Sequence, residues 1–151
     1  MKLEYLTRSP FQTRKLGEAL AKEVLKAGEG DKSRVLGLIG DLGGGKTTFL
    51  QGFAKGLGIK ERVLSPTFVI LKKFKIKKKA PFDFFYHIDC YRIGGAKDLA
   101  ELGFREIAAD PANIVAAEWA DKTKNLLPKG SIFLKFEFID KDTRKIKVSA
   151  H

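Results

Sequence analysis

The chain has 151 residues, and 29 Lys+Arg against 18 Asp+Glu give it a net charge of +11, with 44% hydrophobic and 31% charged residues. These proportions fit a globular chain long enough to bury roughly two-thirds of its unfolded surface, and they exclude wholesale disorder or a fibrous chain. No apolar run approaches the ~18 residues of a membrane span, and the single cysteine, Cys90, excludes an internal disulfide and a cysteine zinc site.

Lys2 to Leu6 predicts a short strand. Ser9-Pro10 then reads as a helix start, with Ser9 as the cap and Pro10 at the first helical position. Leu16, Leu20 and Val24, with Ala19, recur at three- and four-residue spacing, and Gly28 ends that helix. Val35-Leu36-Gly37-Leu38-Ile39 suits a strand buried on both faces. A Gly-rich segment from Gly40 follows, then a helical pattern from Lys46 to about Leu57, closed by Gly58. Phe68 to Ile76 and Phe82 to Asp89 are β-branched and aromatic, which predicts a hairpin around the basic turn between them. Six lysines fall between Lys72 and Lys79, so the positive excess is partly local. It calls for anionic company: nucleic acid, nucleotide or an acidic protein.

Ala96 to Ala109 reads as helix interrupted at Gly103, and Asn113 to Glu118 as another apolar strand. Ser131 to Ile139 alternates, with Ile132, Leu134, Phe136 and Phe138 on one face. Asp140-Lys141-Asp142 then turns the chain back into Lys145 to Ala150. No repeat or low-complexity linker divides the chain, so a single domain over 1–151 is expected. Strand, Gly-rich turn, helix, then further strands and helices predict an α/β fold, a three-layer P-loop NTPase domain with a mixed central sheet. Met1 to Glu4 opens directly into mixed sequence with no leader-like stretch. A cytoplasmic protein without a membrane segment is the expectation.

Residues 40–47, Gly-Asp-Leu-Gly-Gly-Gly-Lys-Thr, satisfy G-x-x-x-x-G-K-[ST] at every fixed position. The plain alternative is a Gly-rich turn that happens to carry Lys-Thr. The flanking apolar strand and amphipathic helix argue against it. Glycines allow backbone N–H groups from about Leu42 through Gly43, Gly44 and Gly45 to Thr47 to turn inward around phosphate oxygens, and the helix N-terminus adds its positive end. Lys46 is expected to face solvent and reach the β- and γ-phosphates, and the Thr47 hydroxyl to ligate Mg²⁺. No Asn-Lys-x-Asp segment is present to read guanine, so ATP is the expected nucleotide.

A second metal ligand belongs at the end of a buried strand. Glu118, ending Ile114-Val115-Ala116-Ala117, and Asp89, ending Phe84 to Ile88, compete for that role, and spacing does not choose between them. Ser65-Pro66-Thr67 is a hydroxyl-rich turn that could sense a γ-phosphate or simply cap itself. His87 and Cys90 read more readily as packed strand residues than as catalysts, and Trp119 as core.

Taken in order, the P-loop, Ser65-Pro66-Thr67-Phe68, His87-Ile88-Asp89-Cys90-Tyr91-Arg92, Glu101-Leu102-Gly103-Phe104 and Glu118-Trp119 resemble the bacterial tRNA threonylcarbamoyladenosine biosynthesis ATPases of the TsaE (YjeE) family. The likeness runs from about Ser9 to Val148. It implies a Mg²⁺-dependent ATPase needed for threonylcarbamoylation of adenosine 37 in tRNAs that read codons starting with A. It also implies TsaD-like and TsaB-like partners, with tRNA engaged at least indirectly. By position, the resemblance gives Leu42 to Thr47 to the phosphates, Thr47 and Glu118 to Mg²⁺, and Asp89 to catalysis or the metal's surroundings. It gives Thr67 to a switch-like loop, Trp119 to the active-site segment, Arg144 to the nucleotide and Pro10 to the neighbourhood of the adenine. Ala120 stands where many relatives carry proline. Two other classes compete: a small P-loop kinase, which usually carries an arginine-rich lid absent here, and a non-enzymatic tRNA-binding module that keeps ATP as a structural ligand.

Overall fold

The computed structural model describes residues 2–40, 45–63, 71–77, 81–120 and 123–150. The strands β1 (Lys2–Thr7), β2 (Arg34–Gly40), β3 (Leu71–Lys75), β4 (Phe84–Asp89), β5 (Asn113–Glu118), β6 (Ile132–Phe138) and β7 (Arg144–Ala150) form one seven-stranded sheet in the order β1-β7-β6-β2-β5-β4-β3. The central strands β6, β2, β5 and β4 run parallel. The outer strands β7 and β3 are antiparallel to their inner neighbours, and β1 is antiparallel to β7. The sheet is therefore mixed, as the sequence predicts.

Two layers of helix cover it. The helices α1 (Pro10–Ala27) and α2 (Lys46–Gly56) pack on one face, where Val24, Phe49, Leu50 and Phe53 meet Leu36, Leu38, Phe85, Ala116 and Phe136. On the other face, Leu99 of α3 (Ala96–Glu101) and Phe104 and Ala108 of α4 (Phe104–Ala109) meet Val35, Ile88, Val115 and Phe133. Strands β2, β5 and β4 are largely buried on both sides, which is why β2 and β5 are almost continuously apolar. Gly103 separates α3 from α4, at the interruption the sequence marks.

The Ser9 hydroxyl accepts the Gln12 N–H at 3.1 Å and Pro10 opens α1, so this start is as read. The inward face of α1 is not. Thr13, Gly17, Ala21 and Val24 are buried, Leu16 and Leu20 only flank the core, and Ala19 is exposed. Small residues win the contact line because α2 comes so close. A Cβ added at Gly52 of α2 would lie 1.9 Å from the Arg14 carbonyl oxygen. Larger side chains must therefore sit beside the seam rather than in it.

β3 is shorter than the predicted Phe68 to Ile76, of which 68–70 lie outside the described residues, and β4 begins at Phe84 rather than Phe82. The predicted hairpin pairing holds, from Leu71 opposite Ile88 to Lys75 opposite Phe84. On β6, Leu134 and Phe136 reach the core, but Phe138, at the strand's end, is 57% exposed. Among the described residues, no helix is long and apolar enough to cross a membrane.

Candidate active site

The carboxyl end of β2 and the amino end of α2 bracket the Gly-rich segment. Residues 41–44 lie outside the described residues, and Leu42, Gly43 and Gly44 with them, as does Thr67. At the near edge, Gly45 caps α2 with φ 98° and ψ 9°, a left-handed conformation that a side chain would strain. Its carbonyl accepts the Phe49 N–H at 2.9 Å, and α2 begins at Lys46 with Thr47 half-buried beside it.

Lys46 corrects an expectation. Its side chain does not face solvent, because the residue is only 5% exposed. The ammonium donates to the Gly40 carbonyl and lies 4.0 Å from the centroid of the Trp119 ring. A cation out of water needs such partners, and a carbonyl dipole and an indole face supply them. Gly40 lies two residues beyond Leu38, which stands opposite Glu118 across the β2–β5 pair, so Lys46 is held next to the end of β5.

The two competing acids turn out to be neighbours. Asp89 and Glu118 end β4 and β5 directly opposite one another in the parallel register. Both are buried, Asp89 at 8% and Glu118 at 3% exposure. The two-residue period of the strands puts both on the α2 face of the sheet. Asp89 Oδ1 accepts the Tyr91 N–H at 3.0 Å and caps a short 3₁₀ turn over Cys90–Arg92. Glu118 Oε2 lies 2.6 Å from Nε2 of His87, a residue of the same face. His87 is the site member that sequence reading missed. Its available signal was its place two residues before Asp89, which puts the two side chains on one face. Cys90 is the packed residue expected of it, buried and approached by the Thr123 hydroxyl at 3.5 Å.

Trp119 follows Glu118 with φ 60°, the one non-glycine residue in the left-handed region among those described. Its ring centroid lies 5.1 Å from that of Tyr91, and the partly buried ring packs at the margin of the core on the α3–α4 face while also meeting Lys46.

Pro10 and Arg144, far apart in sequence, meet beside Gly45. With Thr13, Thr48, Lys141 and Asp142 they line a cavity of about 40 Å³. Arg144 Nη1 donates to the carbonyls of Asp140 at 2.6 Å and Thr143 at 3.0 Å, and its guanidinium lies 4.5 Å from the Phe138 ring centroid. Those carbonyls are fixed by the turn that Asp140 organises, its carboxylate accepting the N–H groups of Asp142 and Thr143. The Asp142 backbone N–H, followed by Thr143, holds the Asp140 carboxyl below its ordinary value.

The chain as a whole is matched by known proteins. The family model described as "Threonylcarbamoyl adenosine biosynthesis protein TsaE" matches residues 7–146. The chain belongs to the TsaE family. It is similar to the tRNA threonylcarbamoyladenosine biosynthesis protein TsaE of Bacillus subtilis, 36% identical over 148 residues that cover 98% of this chain and 85% of that protein. The Aquifex aeolicus TsaE is 32% identical over 147 residues, covering 96% of this chain and 94% of its own. Among solved structures, the crystal structure of Bacillus subtilis YdiB superposes with a TM-score of 0.74 at 29% identity, covering 99% of this chain and 86% of that one.

The side chains at this TsaE site suit a hard cation and a polyphosphate. Among the described residues no cluster of three or more His, Cys, Asp or Glu forms a cage for a metal. Magnesium does not need one, because it binds through one or two protein oxygens and completes its shell with water and phosphate. The carboxylates of Glu118 and Asp89 and the hydroxyl of Thr47 are oxygen donors of that kind, and Lys46 brings a positive charge to the Trp119 ring at the end of β5.

Proposed function

We propose that this chain is the ATP-hydrolysing component of threonylcarbamoyladenosine synthesis, a pathway role that its family membership supports. One observation carries the proposal. A buried lysine at the start of the helix after G-x-x-x-x-G-K-T packs on Trp119, the residue that follows Glu118, and Glu118 and Asp89 are buried strand-end carboxylates in direct register. Phosphoryl transfer asks of a protein chiefly positioning and charge neutralisation, and these are the residue types for both.

In this reading Lys46 exchanges the Gly40 carbonyl and the Trp119 face for the β- and γ-phosphate oxygens. The backbone N–H groups from Leu42 through Gly43, Gly44 and Gly45 to Thr47 hold the phosphates. Thr47 and Glu118 hold Mg²⁺, which when bound supplies positive charge for the phosphate oxygens. Asp89, one oxygen fixed by the Tyr91 N–H, uses the other to orient the attacking water. Thr67 contributes from a switch-like loop, and Arg144 with Pro10 flanks the nucleotide on the Gly45 side. The chain works in the cytoplasm as one domain over 1–151, with TsaD-like and TsaB-like partners that act on tRNA.

Release of inorganic phosphate is the test. The isolated protein should hydrolyse ATP slowly, only with Mg²⁺, and faster when the TsaB and TsaD proteins are added. Phosphate recovered on a small acceptor would make the protein a kinase. ATP that stays bound and intact even in the complex would make it a binding module.

A further inference from the structure

Glu118 is held by a side chain from the neighbouring strand. His87 Nε2 lies 2.6 Å from Glu118 Oε2, and the two side chains are 1% and 4% exposed. His87 pairs with Ala116 in the parallel register, one period before the Asp89–Glu118 pair, so the imidazole approaches the carboxylate from behind along the sheet. The second ring nitrogen, Nδ1, is buried and has no hydrogen-bond partner among the described residues. The ring is therefore committed to one polar contact, and that contact is Glu118.

A buried ionisable pair is a poor way to gain stability, because desolvation of both groups offsets their attraction, and apolar replacements often do as well. Orientation is what such a pair supplies. A glutamate has three rotatable side-chain bonds, and one fixed oxygen leaves the other with a defined direction. Ring N–H groups and carboxylates that hold a metal-binding oxygen in this way affect metal affinity about 10–100-fold when removed.

We propose that His87 is the positioning residue for Glu118: its Nε2–H anchors one carboxylate oxygen and presents the other to the divalent cation. The inference rests on the reading of Glu118 as a cation ligand given above. It predicts that a donor at the Nε2 position matters, and that the imidazole as such does not. His87→Gln can place an amide N–H near the Nε2 position, whereas the shorter His87→Asn cannot reach Glu118.

The test is calorimetric titration with a non-hydrolysable ATP analogue across a Mg²⁺ series, on the full chain, with circular dichroism to verify the fold. The Mg²⁺ concentration giving half the gain in analogue affinity should rise about 10–100-fold in His87→Asn. In His87→Gln it should stay within a few-fold of wild type. His87→Leu should behave as Asn if it folds, and the Gln–Asn contrast decides the matter if it does not. Equal Mg²⁺ dependence in all folded variants, or equal loss in Gln and Asn, overturns the positioning role. If wild-type protein shows no Mg²⁺-dependent gain, the cation-ligand reading itself fails. That result is distinguishable because the wild-type titration alone reveals it.

Discussion

Replacing Trp119 by alanine and by glycine separates what its ring contributes from what its backbone costs. The ring makes a cation–π contact with Lys46 at 4.0 Å and an aromatic pair with Tyr91 at 5.1 Å. Contacts of these kinds are worth about 0.5–2 and about 0.5–1.5 kcal/mol, so either substitution should destabilise the fold by roughly 2 kcal/mol. The backbone works the other way. At φ 60° a residue with a Cβ pays about 1–2 kcal/mol that glycine does not. Glycine's freer unfolded chain offsets only about 0.5–1 kcal/mol of that. The usual order is therefore reversed here, and Trp119→Gly should be more stable than Trp119→Ala by about 0.5–1 kcal/mol. Urea unfolding followed by circular dichroism reads this as a midpoint about 0.5 M higher for the glycine variant, for a slope of about 1.5 kcal/mol/M. An alanine variant as stable as the glycine one, or more so, would refute the strain assigned to this position. Both variants uncover Lys46 equally, so nucleotide affinity should change by the same factor in each.

Lys46→Ala should abolish hydrolysis and weaken nucleotide binding while the protein still folds. Because Lys46 is buried against Gly40 and Trp119, the change should also cost about 1–2 kcal/mol in chemical denaturation. Glu118→Ala should raise the Mg²⁺ requirement, whereas Asp89→Ala should chiefly lower turnover with nucleotide still bound; Mg²⁺ titrations of activity in both variants distinguish the two, and the reverse pattern swaps the roles. For Asp140 the folded carboxyl lies below its ordinary value of 3.8. Its contribution is therefore fully present above about that pH and is lost as pH falls through the folded value. Asp140→Asn should accordingly lose stability relative to wild type at neutral pH, and the gap measured by urea midpoints should shrink as pH is lowered below 3.8.

Signals written in adjacent residues are legible in the amino-acid sequence itself. Ser9-Pro10 starts a helix because a hydroxyl can reach an N–H three residues on, and Gly103 interrupts one because it takes φ 79°. The Gly-rich turn is readable from its fixed positions and from the strand and helix around it. What depends on residues distant in the chain is not. The buried line of α1 belongs to Thr13, Gly17 and Ala21 because α2 happens to approach there, and no periodicity within α1 announces how close a partner will come.

The acids show the same limit more sharply. In sequence, Asp89 and Glu118 are alternatives, because each ends an apolar strand and nothing says which strands pair. Parallel pairing of β4 with β5 makes them partners instead. The same pairing brings His87 to Glu118 across 31 positions of chain, a contact that reading His87 as strand packing could not contain. What holds each carboxylate then differs in kind. Asp89 is fixed by an N–H two residues ahead, so its orientation follows from a local turn and survives wherever that turn forms. Glu118 is fixed by a side chain from another strand, so its orientation exists only once the sheet is assembled. An oxygen whose direction is set by the sheet suits a ligand that must meet a cation in fixed geometry. A carboxylate held by a local turn, with its other oxygen left for a water, suits the water-orienting role proposed for Asp89.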